Sequence, residues 1–295
     1  MTDGKSGPRW ITETLHEEGG LRTSYRADRV LFEEATDHQH LVIFDNPTFG
    51  RMMSLDGATQ VTERDEFVYH EMMTHVPVFA HGNVKSLLII GGGDGGILRE
   101  AVRHAEIEKI TMVEIDPAVT DFSKAHLPMI SAGAFDDPRL DLVFADGAKF
   151  VEGAGVTYDV IIVDSTDPVG PGAVLFEESF YRNAKGRLNE GGIMVTQNGV
   201  PFLQPAELAS TIAKFHRIFR SSTCYLATVP TYVGGPMAMG IGTDDEFIKA
   251  VTVECLEHRL ATAKFRTRYY TPEVHKAAFA LPAYVQEIVD TARRQ

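Results

Sequence analysis

Cysteine is nearly absent from this chain: Cys224 and Cys255 are the only two among 295 residues. They show neither zinc-site nor redox spacing, so two buried thiols in a reducing compartment are expected. Long apolar runs are missing too, and none approaches the roughly 20 residues needed to cross a bilayer. The opening segment, MTDGKSGPRW, lacks the apolar core of a secretory signal. A soluble, cytoplasmic protein is expected. Positive charge is scarce: 28 Lys and Arg face 41 Asp and Glu, the net charge is −13, and no basic stretch exceeds Arg293-Arg294. This disfavours nucleic acid and anionic membranes as partners and favours cationic ligands. Internal repeats and low-complexity tracts are also lacking. What remains is ordinary for a globular protein, 44% hydrophobic and 23% charged, and long enough for one large domain or two smaller ones.

The chain is organised around LLIIGGGDGGILRE, Leu87 to Glu100. An apolar run breaks into glycines and then resumes as a helix former, which reads as a buried strand, a tight turn and a helix N-terminus. Gly91, Gly93 and Gly96 fit the spacing G-x-G-x-x-G of a nucleotide-binding turn. Asp94 sits in the middle of that turn. A carboxylate there would repel a pyrophosphate, whereas it suits a sulfonium or an amine. A plain turn carrying a solvated Asp is the competing reading.

Residues 9 to about 63 read as short strands. WITETL, TSYRADRVLFEEATD, HLVIFDN and RMMSLDGATQVTE alternate apolar and polar residues and predict one small antiparallel sheet. Residues 64–81 turn helical, with Val68, Met72, Val76 and Phe79 on one side and Tyr69, His70 and Glu71 on the other. Pro77 is expected to kink or end that helix. From Val84, SLLIIG, KITMVEID, LDLVFADG, YDVIIVDS and GGIMVTQN read as strands, with helices at 96–105, 117–130, 147–153 and 176–188 between them. Apolar strands alternating with helices predict a mostly parallel sheet covered on both faces. A helix at 205–219 follows, then CYLATVPTY and PMAMGIGT as an antiparallel pair at the sheet edge, then helices near 245–262 and 273–292. The predicted division is an N-terminal β-domain, 1–63, and an α/β domain, 64–295.

In such sheets ligands lie beyond the C-terminal strand ends, and here each early strand ends in acid. Asp94 follows the first, Glu114 and Asp116 the second, Asp146 the third, Asp164 and Asp167 the fourth. Glu114 lies 21 residues beyond Gly93, where nucleoside-binding folds place the acid for the ribose hydroxyls. Asp116, followed by Pro117, reads as a helix cap. Asp146, with Gly147 after it, can accept from an adenine amino group or cap the helix at 147–153, and both roles can hold at once. Asp164 and Asp167 open a loop stiffened by Pro168 and Pro171, a good holder for an ammonium ion or a base for an amine. A metal site is the rival reading, but no His is paired with these two acids and no calcium-loop spacing appears. His75, His104 and His126 show no constellation and are assigned no role.

The stretches LDGATQVTERDEFVYHEM, IIGGGDGG, VEID, DG at 146–147, VDSTDPVGPG, TQNG and PTYVGG run in order along nearly the whole chain. Together they resemble the spermidine synthases, the polyamine aminopropyltransferases. The resemblance implies a class I methyltransferase-like Rossmann sheet with an added N-terminal β-domain. It implies transfer of the 3-aminopropyl group of decarboxylated S-adenosylmethionine, a co-substrate, to putrescine, giving spermidine and methylthioadenosine, with no prosthetic group and no metal. Carried over by motif, Asp164 would be the base, Asp94 would hold the amino end of the aminopropyl group, and Glu114 would bind the ribose. Asp146 and Gly147 would lie on the adenine side, with Gln39, Gln60 and the glycine turn near the nucleoside and Pro171 in the loop over it. Tyr69, His70, Asp167 and Tyr232 would line the diamine channel, and a lid at 166–174 is expected. A homodimer or homotetramer is implied. Cadaverine, agmatine or spermidine as acceptor, methyl transfer from intact S-adenosylmethionine, a nicotinamide oxidoreductase and a catalytically dead binding protein are the competing functions. Asp94 argues against methyl transfer and against a dinucleotide; retention of Asp164 and Asp167 argues against a dead site.

Overall fold

The computed structural model describes residues 9–35, 39–166, 170–245 and 250–294. The N-terminal region holds two sheets rather than the one expected. β1 (Arg9–Glu13) pairs antiparallel with β2 (Thr23–Ala27), and β3 (Arg29–Ala35), β4 (His40–Asn46), β5 (Gly50–Leu55) and β6 (Ala58–Thr62) form a four-stranded antiparallel meander. The segment TSYRADRVLFEEATD is therefore two strands. The break falls at Asp28, whose N–H bonds to the Asp45 carbonyl while its side chain accepts from Arg26.

The remainder runs α1 (Glu66–His81), β7 (Ser86–Gly91), α2 (Gly96–Val102), β8 (Lys109–Glu114), α3 (Pro117–His126), α4 (Pro128–Ser131), β9 (Leu140–Phe144), α5 (Gly147–Val151), β10 (Tyr158–Asp164), α6 (Glu178–Lys185), β11 (Leu188–Gln197), α7 (Pro205–Ile218), β12 (Ser221–Ala227), β13 (Met237–Thr243), α8 (Val253–Ala263), α9 (Pro272–Ala278) and α10 (Ala283–Ala292). Seven strands form one sheet in the order β12-β13-β11-β10-β7-β8-β9. β11, β10, β7, β8 and β9 are parallel, and β12 and β13 close the edge antiparallel, as expected. Alternation along β7 shows how the sheet is covered. Leu87 and Ile89 join the core under α1 and α2, while Leu88 and Ile90 join the opposite core with Phe180 and Phe215. All four are essentially inaccessible; truncating any one to Ala removes roughly 2–5 kcal/mol.

Several boundaries correct the sequence reading, and proline explains two of them. The helix expected at 117–130 breaks at Leu127, before Pro128, and that expected at 273–292 breaks before α10, with Pro282 extended at φ −56°, ψ 151°; a residue preceding proline is pushed out of helical geometry. Pro77 behaves differently. α1 runs four residues past it to His81 and ends at Gly82, whose φ of +79° sets a left-handed cap. The Arg259 guanidinium reaches the carbonyls of Phe79 and Ala80, satisfying the end of that helix. Both sides of α1 are buried, including Tyr69, His70 and Glu71. Residues 228–232 leave the expected strand CYLATVPTY and form a turn, α6 stops at Lys185 so that Leu188 begins β11, and α8 begins only at Val253. Residues 246–249 of its expected span lie outside the described residues. Among the described residues no helix is long and apolar enough to cross a membrane.

Candidate active site

The sheet order fixes where a ligand can sit. β7 and β8 run outward on one side, β10 on the other, so the strand order reverses between β7 and β10 and leaves a crevice beyond their carboxyl ends. Asp164, last residue of β10, is the register partner of Gly91, last residue of β7. Gly91 has φ +84°, and a Cβ there would stand 2.0 Å from the Asp164 carbonyl oxygen. Only glycine lets the two chains meet this closely. A cavity of about 450 Å³ opens above that junction.

The acids of four strand ends gather around this cavity. Asp94, Glu114, Asp146 and Asp164 all line it, with Gly91, Gly93 and Gly147 beside them. Gln39, Gln60, Tyr69, His70 and Tyr232 line it as well. Asp116 is turned into α3, where its side chain accepts from the Ala118 N–H, the expected cap, and also from Gln39 Nε2 at 3.3 Å. Asp146 both caps α5, accepting from the N–H groups of Ala148 and Lys149, and faces the cavity. Asp167 lies outside the described residues, as does part of the loop expected to act as a lid; Pro171 falls in the 3-10 turn Gly170–Phe176, and nothing is described of its side chain.

The environments of the acids push their proton affinities apart. Burial, and then the nearby Asp94 charge, raise the Asp164 carboxyl to about 6, opposed by His70 and by the Tyr69 hydroxyl, which donates to Oδ1 at 2.6 Å. Burial also raises Glu114, to about 7, although the N–H groups of Asp116 and Ile115 donate to it. Burial alone would raise Asp94, but the neighbouring His70, the Gly96 N–H and Arg99 hold it below the ordinary Asp value. Burial disfavours a charged His70, yet Asp94 and Glu66 outweigh that and push it up to about 10. The pocket thus holds one carboxylate kept ionised, Asp94, and two raised toward neutrality, Asp164 and Glu114; groups whose proton affinities are pushed apart in this way suit acid–base chemistry. Among the described residues no three His, Cys, Asp or Glu side chains converge as a metal site.

Two features escaped the sequence reading. Gln197, in the motif TQNG, reaches across from β11. Its Nε2 donates to the Ser165 carbonyl at 3.1 Å and its Oε1 accepts from the Gly199 N–H, which ties down the start of the acidic loop. His75 and His104, assigned no role above, belong to a buried constellation after all: His75 stands 3.0 Å from both His104 and Glu100. Glu100 in turn pairs with Arg99 and Arg103. Arg99, Glu100, Arg103 and His104 are close in sequence, but His75 reaches them from α1, and no local spacing signals that contact.

A Rossmann-like, mostly parallel sheet with an acidic pocket at its switch point gives the chain the class I methyltransferase-like α/β architecture. A family model described as "Spermine/spermidine synthase domain" matches residues 66–254, and one described as "Spermidine synthase tetramerisation domain" matches residues 9–63. A polyamine aminopropyltransferase of Ruegeria sp. (strain TM1040) is 56% identical over 279 residues, covering 95% of this chain and 98% of its own. One from Escherichia coli O157:H7 is 51% identical over 275 residues, covering 93% and 95%. Among solved structures, a spermidine synthase in complex with the transition-state analogue AdoDATO matches with a TM-score of 0.90 at 36% identity, covering 98% of each chain. The spermidine synthase from Thermotoga maritima matches with 0.87 at 33% identity, covering 98% and 97%. The chain belongs to the spermine/spermidine synthase family, the polyamine aminopropyltransferases.

Proposed function

We propose that this enzyme transfers the 3-aminopropyl group of decarboxylated S-adenosylmethionine to putrescine, giving spermidine and methylthioadenosine, with Asp164 as general base. The observation that carries the reading is the juxtaposition of Asp94, held ionised, and Asp164, raised to about 6, in one cavity. The related spermidine synthase that binds AdoDATO supports the donor assignment.

The sulfonium already activates the carbon to be attacked, so the difficulty lies with the acceptor. An alkylammonium of pKa ~10.4 carries no lone pair; passing its proton to an ordinary Asp of pKa ~3.9 costs about 9 kcal/mol, whereas passing it to a carboxyl near 6 costs about 6. Raising Asp164 therefore recovers roughly 3 kcal/mol. The other end of the diamine stays charged, while Tyr69, His70 and Tyr232 line its path; Asp167 is assigned to the same path by its motif alone. Orientation of the free amine in line with the C–S bond supplies much of the remaining rate. Asp94 receives the ammonium of the aminopropyl group. Glu114 takes the ribose hydroxyls, Asp146 and Gly147 the adenine, and Gln39, Gln60, Gly91, Gly93 and Pro171 complete the nucleoside side. Residues 1–63 are read as the β-domain and 64–295 as the catalytic domain, in a cytoplasmic homodimer or homotetramer.

Glu114 provides a pH test. A carboxyl near 7 must be ionised to accept two hydroxyls, so donor binding should release protons around neutrality and weaken as pH falls below about 7. Calorimetry in buffers of different ionisation heat measures that release; a buffer-independent heat would argue against Glu114 as the ribose acid. The function itself is tested by mass spectrometry of purified enzyme incubated with either donor and a panel of amines. Spermidine and methylthioadenosine from putrescine are expected. Faster product formation from cadaverine, agmatine or spermidine would reassign the acceptor, and methylated product from intact S-adenosylmethionine would overturn the reaction.

A further inference from the structure

Beneath the pocket four side chains of alternating charge stand in line. Arg99, on α2, places Nη1 3.0 Å from Glu66 Oε1 and Nη2 2.8 Å from Glu66 Oε2. Glu66 Oε2 lies 2.7 Å from His70 Nδ1, one helical turn further along α1. His70 Nε2 faces Asp94 Oδ2 at 3.4 Å. His70 is 2% exposed and Glu66 5%. The ring packs directly against the Gly96 backbone, where a Cβ would stand 2.1 Å from His70 Cε1. Arg99 is fixed from behind by Glu100 and by the Ile130 carbonyl.

A carboxylate only accepts hydrogen bonds. An imidazole with a carboxylate at each nitrogen therefore satisfies both only when it carries two protons. The charges facing His70 are Glu66 from its own helix, Asp94 from the β7–α2 turn and Asp164 from β10; behind Glu66 stand Arg99 and, at 3.9 Å, Arg268 from the segment between α8 and α9. Asp94 and Asp164 are close enough to disfavour each other's ionisation. Something must decide which of the two keeps its charge, and the line of ion pairs reaches only Asp94.

We propose that Glu66, clamped by Arg99, is a positioning residue: it holds His70 doubly protonated and aimed at Asp94, which assigns the permanent charge to Asp94 and leaves Asp164 to take up the proton. Its consequence for donor binding rests on the function proposed above; the protonation of His70 does not.

The test combines nitrogen-15 NMR of the histidines with steady-state kinetics on the intact enzyme. In the parent, His70 should stay doubly protonated beyond about pH 8. Glu66→Gln should shift its titration down by at least ~2 units, and raise KM for decarboxylated S-adenosylmethionine about tenfold or more at pH values above that shifted titration, with kcat changed less than about threefold. Glu66→Asp should restore part of the parental KM. A neutral His70 in the parent near pH 7.5 overturns the proposal, and that measurement needs no variant to fold. An unshifted titration or an unchanged KM profile in Glu66→Gln overturns it too. If the parent forms no methylthioadenosine at all, the proposed function fails while the His70 titration still decides this one.

Discussion

Asp164→Asn should lower kcat by a factor of about 10²–10⁴, the range spanned by general-base catalysis, while KM for the donor moves only a few-fold. The substitution is nearly isosteric. An Asn Oδ1 can still accept from the Tyr69 hydroxyl, now donating to Asp164 at 2.6 Å, so the floor of the pocket keeps its shape. What disappears is the capacity to accept a proton from the attacking ammonium. Adding acceptor does not compensate, because the bound amine stays protonated. Steady-state measurement of kcat and both KM values separates this from a binding defect. A variant with parental kcat would mean that the proton leaves by another route.

Asp94→Asn should act on the donor instead. The Asn retains the acceptor for the Gly96 N–H, bonded to Asp94 Oδ1 at 2.7 Å, but not the charge proposed to meet the donor's ammonium. Breaking one side of a buried charge pair costs about 2–5 kcal/mol, a fall in kcat/KM for decarboxylated S-adenosylmethionine of about 30-fold to several thousand-fold. Discrimination should fall with it. Intact S-adenosylmethionine carries an additional carboxylate at the end proposed to approach residue 94, and two carboxylates without a counter-charge in a partly dry site repel strongly. With Asn there, the preference for the decarboxylated donor should shrink toward unity. Equal discrimination by mutant and parent would remove Asp94 as its cause.

The sheet was legible because its signals are local. Near-continuous apolar strands, glycines at β7's end and an acid after each early strand are short-range features, and the switch-point rule turns them into one pocket. Pro128 and Pro282 each carried a readable stop, yet the long apolar periodicity around them suggested uninterrupted helices. Pro77 went the other way, since α1's packing and Arg259 from a distant segment sustain the helix beyond it. The support beneath the site was only half visible. Glu66 stands four residues before His70, a spacing that faces the two on one helical turn, but Arg99, Gln197 and the His75–His104 pair reach their partners from other segments, and no spacing along the chain encodes those contacts. The split of the N-terminal strands at Asp28 likewise depends on pairing rather than on pattern.

The most direct measurement is the pH dependence of kcat/KM for putrescine at saturating donor, in the parent and in Asp164→Asn. Saturation removes Glu114 from the comparison. The account predicts that the parent loses activity about tenfold per unit on the acid side, at or below about 6, as Asp164 takes up its proton. The variant should run at its low rate with no such limb. The same acid limb in both proteins would contradict the assignment of Asp164 as the group that accepts the proton.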